Sequence, residues 1–425
     1  MQQDRLTARN VALLETIFGE RFLRGFDVRL WDGSVLPSRD VTRTFTLLVN
    51  SPDALRTAFA PPVDLNAGKA FVEGHLDVEG DLPTAVSAFN AVDADRSLAR
   101  TLRAGYLLSR LPRAGNGNGS SPARLRGQMH SRERDRAAIT YHYDHPVQFY
   151  ESFLDRSMTY SCAYYESPAM DLEAAQLAKL DYIARKLRLR RGMTLLDIGC
   201  GWGAFLIHAA RSYGANVLGI TLSARQRDET QRRIELAGLA ETARVELRDY
   251  RDLQGMTFDR IASIGMVEHV GLAQLPAYFE TVLGALRPGG LFLNHGIAEQ
   301  SPGRRGGKAR GFVDRYVFPD GELVAIGKSL EVAERCGFEV RDVENLREHY
   351  VRTLRAWVEN IERHRDAAIE AAGPHAYRTW RLYMAGSAAN FAAGNIGLFQ
   401  ALLARPDEHG RVDLPPTRAD LYPPR

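Results

Sequence analysis

The sequence predicts an α/β protein. Its larger part is an open, mostly parallel sheet wound on both faces by helices, with a smaller α+β domain ahead of it and helical additions behind. Three observations carry that expectation. Short apolar runs alternate with amphipathic stretches between residues 193 and 297, the rhythm of parallel strands joined by helical crossovers. The first of these runs ends in a glycine-rich turn, "LLDIGCGWG" at 195–203. A stretch of Gly, Asn, Ser and Pro and then charge, "RAGNGNGSSPARLRGQMHSRERDR" at 113–136, has no apolar period and parts the chain. With 425 residues the chain is long for one core and suits two domains. They are set at 1–112 and 138–425, with 113–137 as a flexible linker.

In chain order, "TFTLLVN" (44–50) alternates as a strand does, and "SPDALRTAF" (51–59) opens a helix with Ser51 or Asp53 at its cap. Nothing else in the first domain carries evident chemistry. Beyond the linker, "MTLLDIG" (193–199) is a strand and "AFLIHAARSYG" (204–214) a helix closed by Gly214. "ANVLGIT" (215–221) and "SARQRDETQRRIELAG" (223–238) repeat the pair. "RVELRD" (244–249), "DRIASIG" (259–265) and "LFLNHGI" (291–297) supply further strands, and "LPAYFETVLGALRPGG" (275–290) an intervening helix. The last third reads as helical. Tyr350, Leu354, Trp357, Val358 and Ile361 form one apolar stripe, and "MAGSAANFAAGNIGLFQALLA" (384–404) has the small residues of close packing.

Composition removes several classes. Apolar and charged fractions of 45% and 25% are those of a globular chain, and no run approaches the ~20 apolar residues that span a bilayer. The N-terminus carries acids and an amphipathic rhythm, unlike a secretory signal. Cys162, Cys200 and Cys336 are too widely spaced for a disulfide framework or a zinc site, which points to a reducing cytoplasm. The net charge of +3 is mild. The arginine-dense runs "KLRLRRG" (186–192) and "SPGRRGGKARG" (301–311) read first as solvated faces and second as contacts for anionic lipid or nucleic acid.

Asp197 followed by Gly199, Gly201 and Gly203, between strand and helix, makes a turn whose backbone can approach a ligand at the carboxyl end of a sheet. A dinucleotide site would read G-x-G-x-x-G, with an acid closing the second strand. Here the spacing is G-x-G-x-G, and the second strand ends in Thr221. D-x-G-x-G-x-G before a helix is instead the pattern of class I methyltransferases that bind S-adenosylmethionine. Asp249, at the end of the third strand, fits either an adenine amino-group acceptor or an ordinary capping aspartate.

The sequence also resembles the cyclopropane fatty acid synthases and related mycolic acid methyltransferases over roughly 138–400. Eight blocks carry the likeness in the family's order: "YHYDHPVQFYESFLDRSMTYSCAYYE" (141–166), "LEAAQLAKLDYI" (172–183), "LLDIGCGWGAF" (195–205), "GITLSARQ" (219–226), "DYRDL" (249–253), "IGMVEHVG" (264–271), "FLNHGI" (292–297) and "DRYVFPDGEL" (314–323). The linker and first domain are similar to those of the long bacterial synthases that act on membrane phospholipids, a part the shorter mycolic acid enzymes lack. The resemblance implies a seven-stranded Rossmann-like methyltransferase sheet. It implies contacts to S-adenosylmethionine from Tyr160, Ser161, Asp197, Gly199, Gly201, Gly203, Thr221, Leu222, Gln226, Asp249 and Tyr250, with Gln226 as the ribose ligand. It also implies a bicarbonate held by Cys162, Glu268, His295, the backbone at Ile297, and Tyr350.

Chemistry makes sense of those residue types. An isolated alkene is a weak nucleophile and must be held against the sulfonium methyl in a dry site. Methyl transfer leaves a cation on the acyl chain, which aromatic faces such as Tyr164, Tyr165, Tyr316 and Phe318 would stabilise by ~1–2 kcal/mol each when desolvated. A small anion held by neutral donors then takes the proton as the ring closes. Glu268 orients it without being the base, and Cys162 is a weak donor, neither nucleophile nor filler.

The leading expectation is a cyclopropane-forming transferase for unsaturated phospholipids, peripherally bound at the inner face of the membrane and homodimeric. The first domain would serve docking or dimerisation. A near rival shares the first step but ends in a methylene- or methyl-branched chain, the latter with a flavin or nicotinamide reductase. A methyltransferase for small molecules or RNA is disfavoured, because "SPGRRGGKARG" has no stacking aromatic, and no nucleic-acid partner is expected. A non-catalytic lipid-binding protein fits poorly with an intact glycine turn.

Overall fold

The computed structural model describes residues 2–19, 25–38, 43–91, 97–112, 127–300 and 311–422. They form two compact units, and the chain passes between them more than once. The first unit comprises Met1–Ala123, Ala309–Val317 and Ile361–Asn390; the second comprises Arg124–Lys308, Phe318–Asn360 and Phe391–Arg425.

In the first unit, β1 (Asp27–Leu30), β2 (Val35–Leu36), β3 (Phe45–Val49) and β4 (Leu76–Gly80) make a sheet in the order β2-β1-β3-β4. β3 matches the expected strand. Asp53 does occupy the cap position of the helix Ala54–Phe59, but its side chain makes no capping bond, and Ser51 Oγ instead meets His75 Nδ1 at 3.2 Å. Phe18 anchors the core, 5.4 Å from Phe26 and 5.1 Å from Phe89 between ring centres.

Later chain joins this unit through specific contacts. The Phe312 amide donates to Asp64 Oδ2 at 3.0 Å. A Cβ on Gly68 would come within 2.3 Å of the Phe312 ring, so only glycine leaves that ring its seat. Arg378 and Arg381 both bond Asp77, at 2.9 and 2.8 Å. The expected division at 112 and 138 therefore understates the first unit. Of the expected linker, 113–126 lies outside the described residues, while its end enters the helix Arg132–Tyr143, capped by Ser131.

The second unit is built on β5 (Thr194–Ile198), β6 (Asn216–Thr221), β7 (Ala243–Leu247), β8 (Phe258–Ile264), β9 (Leu286–Glu299), β10 (Glu339–Asn345) and β11 (Ile396–Ala404), in the order β10-β11-β9-β8-β5-β6-β7. The ladders from β7 to β9 are parallel, and β11 and β10 add antiparallel strands at the far edge. Alternate residues serve opposite faces. Leu195 and Val217 enter one core with Phe205 and Ile234, while Leu196 and Leu218 enter another with Tyr278 and Val282. Burial on both faces explains why these strands are apolar runs rather than alternations. β5 and β8 are neighbours, and the connection leaving β5 runs to β6 while the one leaving β8 runs to β9, in opposite directions across the sheet. A crevice opens at such a point.

The sequence reading of the last third needs correction. The small-residue stretch before 392 does end a helix, Arg365–Ala392, but after Gly394 (φ +69°) the run "IGLFQALLA" is β11. A short apolar run has no period that separates buried strand from buried helix. What decides is the open edge of β9, which pairs with β11 from Glu299↔Ile396 to Leu291↔Ala404. The helix expected over 275–290 stops at Ala285, and Arg287–Gly290 fall where the β8–β9 register shifts.

Leu402→Ala tests the placement of β11. Leu402 is buried in the sheet core, so truncation should cost about 2–5 kcal/mol and move the urea midpoint clearly downward. A surface helix would show a change within about 0.5 kcal/mol.

Candidate active site

At the carboxyl ends of β5, β6 and β8 lies a cavity lined by the glycine turn. Gly199, Gly201 and Gly203 take φ values of +75°, +55° and +84°, the left-handed region that favours glycine. A Cβ on Gly203 would sit 2.6 Å from Thr230, whereas Gly201 faces open space, where a ligand can come close to the backbone. The Gly199 and Cys200 amides donate to Ile220 O, fastening the turn to β6.

Thr221 and Gln226 act as one device. Ser223 caps the helix Ala224–Leu236, and Thr221 Oγ1 lies 2.8 Å from Gln226 Oε1. With the carboxamide oxygen engaged, the amide nitrogen is left for the cavity, which both residues line together with Leu222. Tyr160, Ser161 and Tyr250 also line it. Asp249 caps a short turn, accepting the Arg251 amide at 2.9 Å, and its oxygens take Arg251 Nε and Nη2 at 2.8 and 2.7 Å. That is the capping role, one of the two left open for it. Arg251 also reaches Asp135, at 3.0 Å, and both of these line the cavity.

Several cavity residues were missed from sequence. Trp202 is buried inside the glycine turn, and Lys179 reaches the cavity from the helix Leu172–Lys186. Lys179 had a legible signal: Gln176 and Lys179 fall on the face that also carries Leu172, Ala175 and Ile183, and a polar pair on an apolar stripe needs a reason. Asp197 is buried on β5 and lines the same cavity. Burial pushes its carboxyl up to about 7, partly offset by the Lys179 charge.

The residues expected around the anion do not line this cavity, but they gather beside it. Glu268 Oε1 accepts the Ile297 amide at 2.7 Å. His295 Nδ1 meets Gln400 Nε2 at 3.1 Å across the β9–β11 ladder. An imidazole that accepts there must carry its proton on Nε2, and burial keeps it neutral by holding its pKa well down. Cys162 joins through backbone: its thiol points to the carbonyls of Ala163 (3.2 Å) and Leu346 (3.8 Å), and the Leu346 amide donates to Leu398 O, whose register partner is Ile297. Tyr350 lies one helical turn beyond Leu346, bonded to it by its amide, with its ring 6.0 Å from Trp357.

Two of the expected groups already have partners. The Ile297 amide is given to Glu268, because a buried carboxyl without a donor would be costly. The Cys162 thiol points to carbonyls, and burial raises its pKa, so it is a neutral S–H group beside the site. Glu268 Oε2 and His295 Nε2, by contrast, are fully buried with no hydrogen-bond partner among the described residues. Burial pushes the Glu268 carboxyl up to about 7.

The aromatics divide. Phe318 lies 5.3 Å from His269, which lines the cavity. Tyr164 is stacked between Tyr182 and His349, Tyr165 lies under the Arg352 guanidinium at 3.9 Å, and Tyr316 belongs to the first unit, against Phe312. None of these three lines the cavity. Tyr143 and Tyr160 do line it, with Tyr250 and Trp202, and Trp357 lies 5.2 Å from the Tyr160 ring.

Comparison with known proteins agrees with this geometry. The profile described as mycolic acid cyclopropane synthetase matches residues 130–401. A probable fatty acid methyltransferase of Pseudomonas putida is 41% identical over 93% of this chain and 95% of its own. The solved cyclopropane synthase MmaA2 of Mycobacterium tuberculosis has a TM-score of 0.61 and 35% identity, covering 63% of this chain and 98% of its own. The mycolic acid cyclopropane synthase CmaA1, solved with S-adenosylhomocysteine and CTAB, has a TM-score of 0.60 with the same identity and coverages.

The raised carboxyl of Glu268 sets a pH dependence. A buried acid whose folded pKa exceeds its unfolded value binds more protons when folded, so it costs stability as pH rises from about 4.5 to about 7. Glu268→Gln should gain stability over the parent across that window and differ little below it. Thermal unfolding from pH 4 to 8 reads this. Asp197, raised for the same reason, should leave a residual slope in the variant.

Proposed function

The chain belongs to the mycolic acid cyclopropane synthetase family and is an S-adenosylmethionine-dependent methyltransferase, and from that premise we propose that it builds cyclopropane rings on the double bonds of unsaturated phospholipid acyl chains, with bicarbonate as base. One observation carries the reading: Glu268 Oε2 and His295 Nε2 are orphaned, buried polar atoms beside a cofactor cavity. Such atoms call for a partner, which a bound ligand or an ordered water supplies. They fit a small oxyanion, His295 as an N–H donor and Glu268 as an O–H donor when protonated. Tyr350, whose ring lies 6.0 Å from Trp357, is the further donor of this reading.

S-adenosylmethionine supplies an electrophilic methyl, and bicarbonate supplies a weakly basic oxygen that can accept a proton. The chain's own groups bind, orient and keep the site dry. The glycine turn and Gln226 hold the adenosine portion. Tyr160 and Trp357 present π faces to positive charge that develops on the acyl chain. Glu268, bonded to the Ile297 amide, is kept from attacking that charge itself, and the neutral His295 fixes an anion without competing for its proton.

A lipid surface suits the first unit. No helix among the described residues is long and apolar enough to cross a membrane. The helix Leu98–Ser109, however, exposes Leu98, Leu102 and Tyr106 at 76%, 65% and 59%, at a spacing of four, and buries none of its own residues. With Arg103 and Arg110 at hand, this stripe fits shallow insertion among anionic headgroups. That reading makes the protein a peripheral one at the inner face of the membrane, with the first unit docking it and completing a homodimer. A second product remains open because the relative that matches nearly the whole chain is called a fatty acid methyltransferase: a methylene- or methyl-branched chain, the latter requiring a flavin or nicotinamide reductase.

Incubation with dioleoyl phospholipid vesicles and S-adenosylmethionine should yield fatty acids heavier by one methylene. Proton NMR should show cyclopropane hydrogens, whereas vinylidene or methyl-branch signals would assign the second product and unchanged oleate would end the reading. Turnover should fall in bicarbonate-depleted buffer and recover on adding the salt. Leu102→Glu should weaken co-sedimentation with anionic vesicles about tenfold, the worth of one buried leucine, while leaving S-adenosylhomocysteine binding intact. A change in oligomeric state without loss of vesicle binding would make the stripe a subunit contact instead.

A further inference from the structure

The helix Arg132–Tyr143 gives Asp135, Ile139 and Tyr143 to the lining of the cavity. Immediately before its cap, Ser131, stands His130, which is 8% exposed. Neither nitrogen of its ring has a hydrogen-bond partner among the described residues. Nδ1 lies 3.8 Å from Asp135 Oδ1 and Nε2 lies 3.7 Å from Glu322 Oε2, so one buried ring sits between carboxylates from two segments of chain. The seat is built for that ring. Gly271 faces it, and a Cβ there would come within 2.4 Å of Nε2. His130 also takes φ +61°, a left-handed conformation that costs a non-glycine residue energy and persists only where its surroundings impose it.

A neutral imidazole has one N–H and serves only one of those carboxylates, whereas an imidazolium donates from both nitrogens. From this placement we infer that His130 is a positioning residue, an imidazolium staple that ties the first turn of the helix Arg132–Tyr143, through Asp135, to the segment carrying Glu322, and so holds one wall of the cavity. The inference rests on the cofactor reading. The other charged groups around the ring leave it this role. His269 is held down to about 4, first by burial and then by the His130 charge, so it stays neutral and does not compete. Arg132 and Arg134 are engaged by Asp252 and Asp320, at 2.7 and 2.9 Å. Arg251 reaches the His130 carbonyl at 3.5 Å but is held by Asp249 and Asp135. The carboxylates facing the ring therefore meet cations that are already paired. Without the ring's proton, Asp135 keeps Arg251, and Glu322 keeps the Leu272 amide at 3.4 Å, with nothing joining one carboxylate to the other.

Calorimetric titration of S-adenosylhomocysteine into the full chain at pH 6 and pH 8 tests this, with His130→Gln and Glu322→Gln as variants. The staple needs its proton, so its contribution should fade as pH rises. The ratio of parent to His130→Gln affinity should be roughly tenfold greater at pH 6 than at pH 8, the worth of one charge-assisted hydrogen bond. Asp197 and Lys179 titrate in both proteins, and the ratio cancels them. Glu322→Gln alters a side chain outside the cavity lining and should bind at pH 6 as His130→Gln does. Hydrogen exchange at the amides of 132–143 should be faster than the parent's in both variants at pH 6 and equal to it at pH 8. A ratio that is the same at both pH values would overturn the inference, because His130 would then only fill space. So would a Glu322→Gln protein that behaves as the parent, and that comparison decides alone where His130→Gln does not fold. A parent that binds no S-adenosylhomocysteine at either pH would strike the cofactor reading instead.

Discussion

The ladder between β9 and β11 is the constraint on which the site depends. It sets Gln400 opposite His295, so a neutral amide fixes which imidazole nitrogen bears the proton. Two residues along, it sets Leu398 opposite Ile297, and the Leu398 carbonyl then holds Leu346, whose own carbonyl receives the Cys162 thiol. Residues far apart in the chain are thereby placed by main-chain bonds, which tolerate little play. A slip of one residue in β11 would turn Gln400 to the opposite face of the sheet and leave His295 without its orienting partner.

The same ladder explains how the site stays dry. β9 and β11 are buried along most of their length, so polar atoms left over at their ends have no water to turn to. In such surroundings each group settles in its less charged form, and that is the pattern here: His295 is neutral and the Cys162 thiol protonated, while Glu268 is balanced near neutrality. Glu268 finds its partner in the Ile297 backbone amide and His295 in the Gln400 side chain. The backbone donor cannot rotate away.

Much of this was legible in the sequence, for reasons that differ between elements. β5 to β8 and their helices follow from apolar runs closed by glycine or serine, because local signals and tertiary demand agree there. The glycine turn was legible because positive φ leaves a compositional trace. β11 was not, because its strand character comes from the vacant edge of β9 and not from its own residues. Asp249 was ambiguous because a capping aspartate and a ligand acceptor look alike in one sequence, and its bonds to Arg251 come from the fold. Tyr164 and Tyr165 have the right chemistry, but a single sequence does not reveal that Tyr182, His349 and Arg352 occupy their faces. Lys179 could have been read from its place on an apolar stripe, a conflict between pattern and residue that marks functional positions.

A division of electrostatic labour follows from these placements. At the cofactor cavity the chain offers groups of both signs, Lys179 and Asp197, each drawn toward its neutral form by burial. Beside it, at Glu268 and His295, the chain offers groups at or near neutrality. A transfer that leaves positive charge on an acyl chain needs that order. A free carboxylate facing the cation would collapse onto it as an ester, and an unbalanced ammonium would raise the barrier to forming it. Polarisable rings such as Tyr160 and Trp357 stabilise such a charge without bonding to it. The Gln400 amide on His295 is therefore more than packing, because it favours the neutral imidazole, whereas the Ile297 amide on Glu268 favours the carboxylate and only partly offsets the burial that raises its pKa.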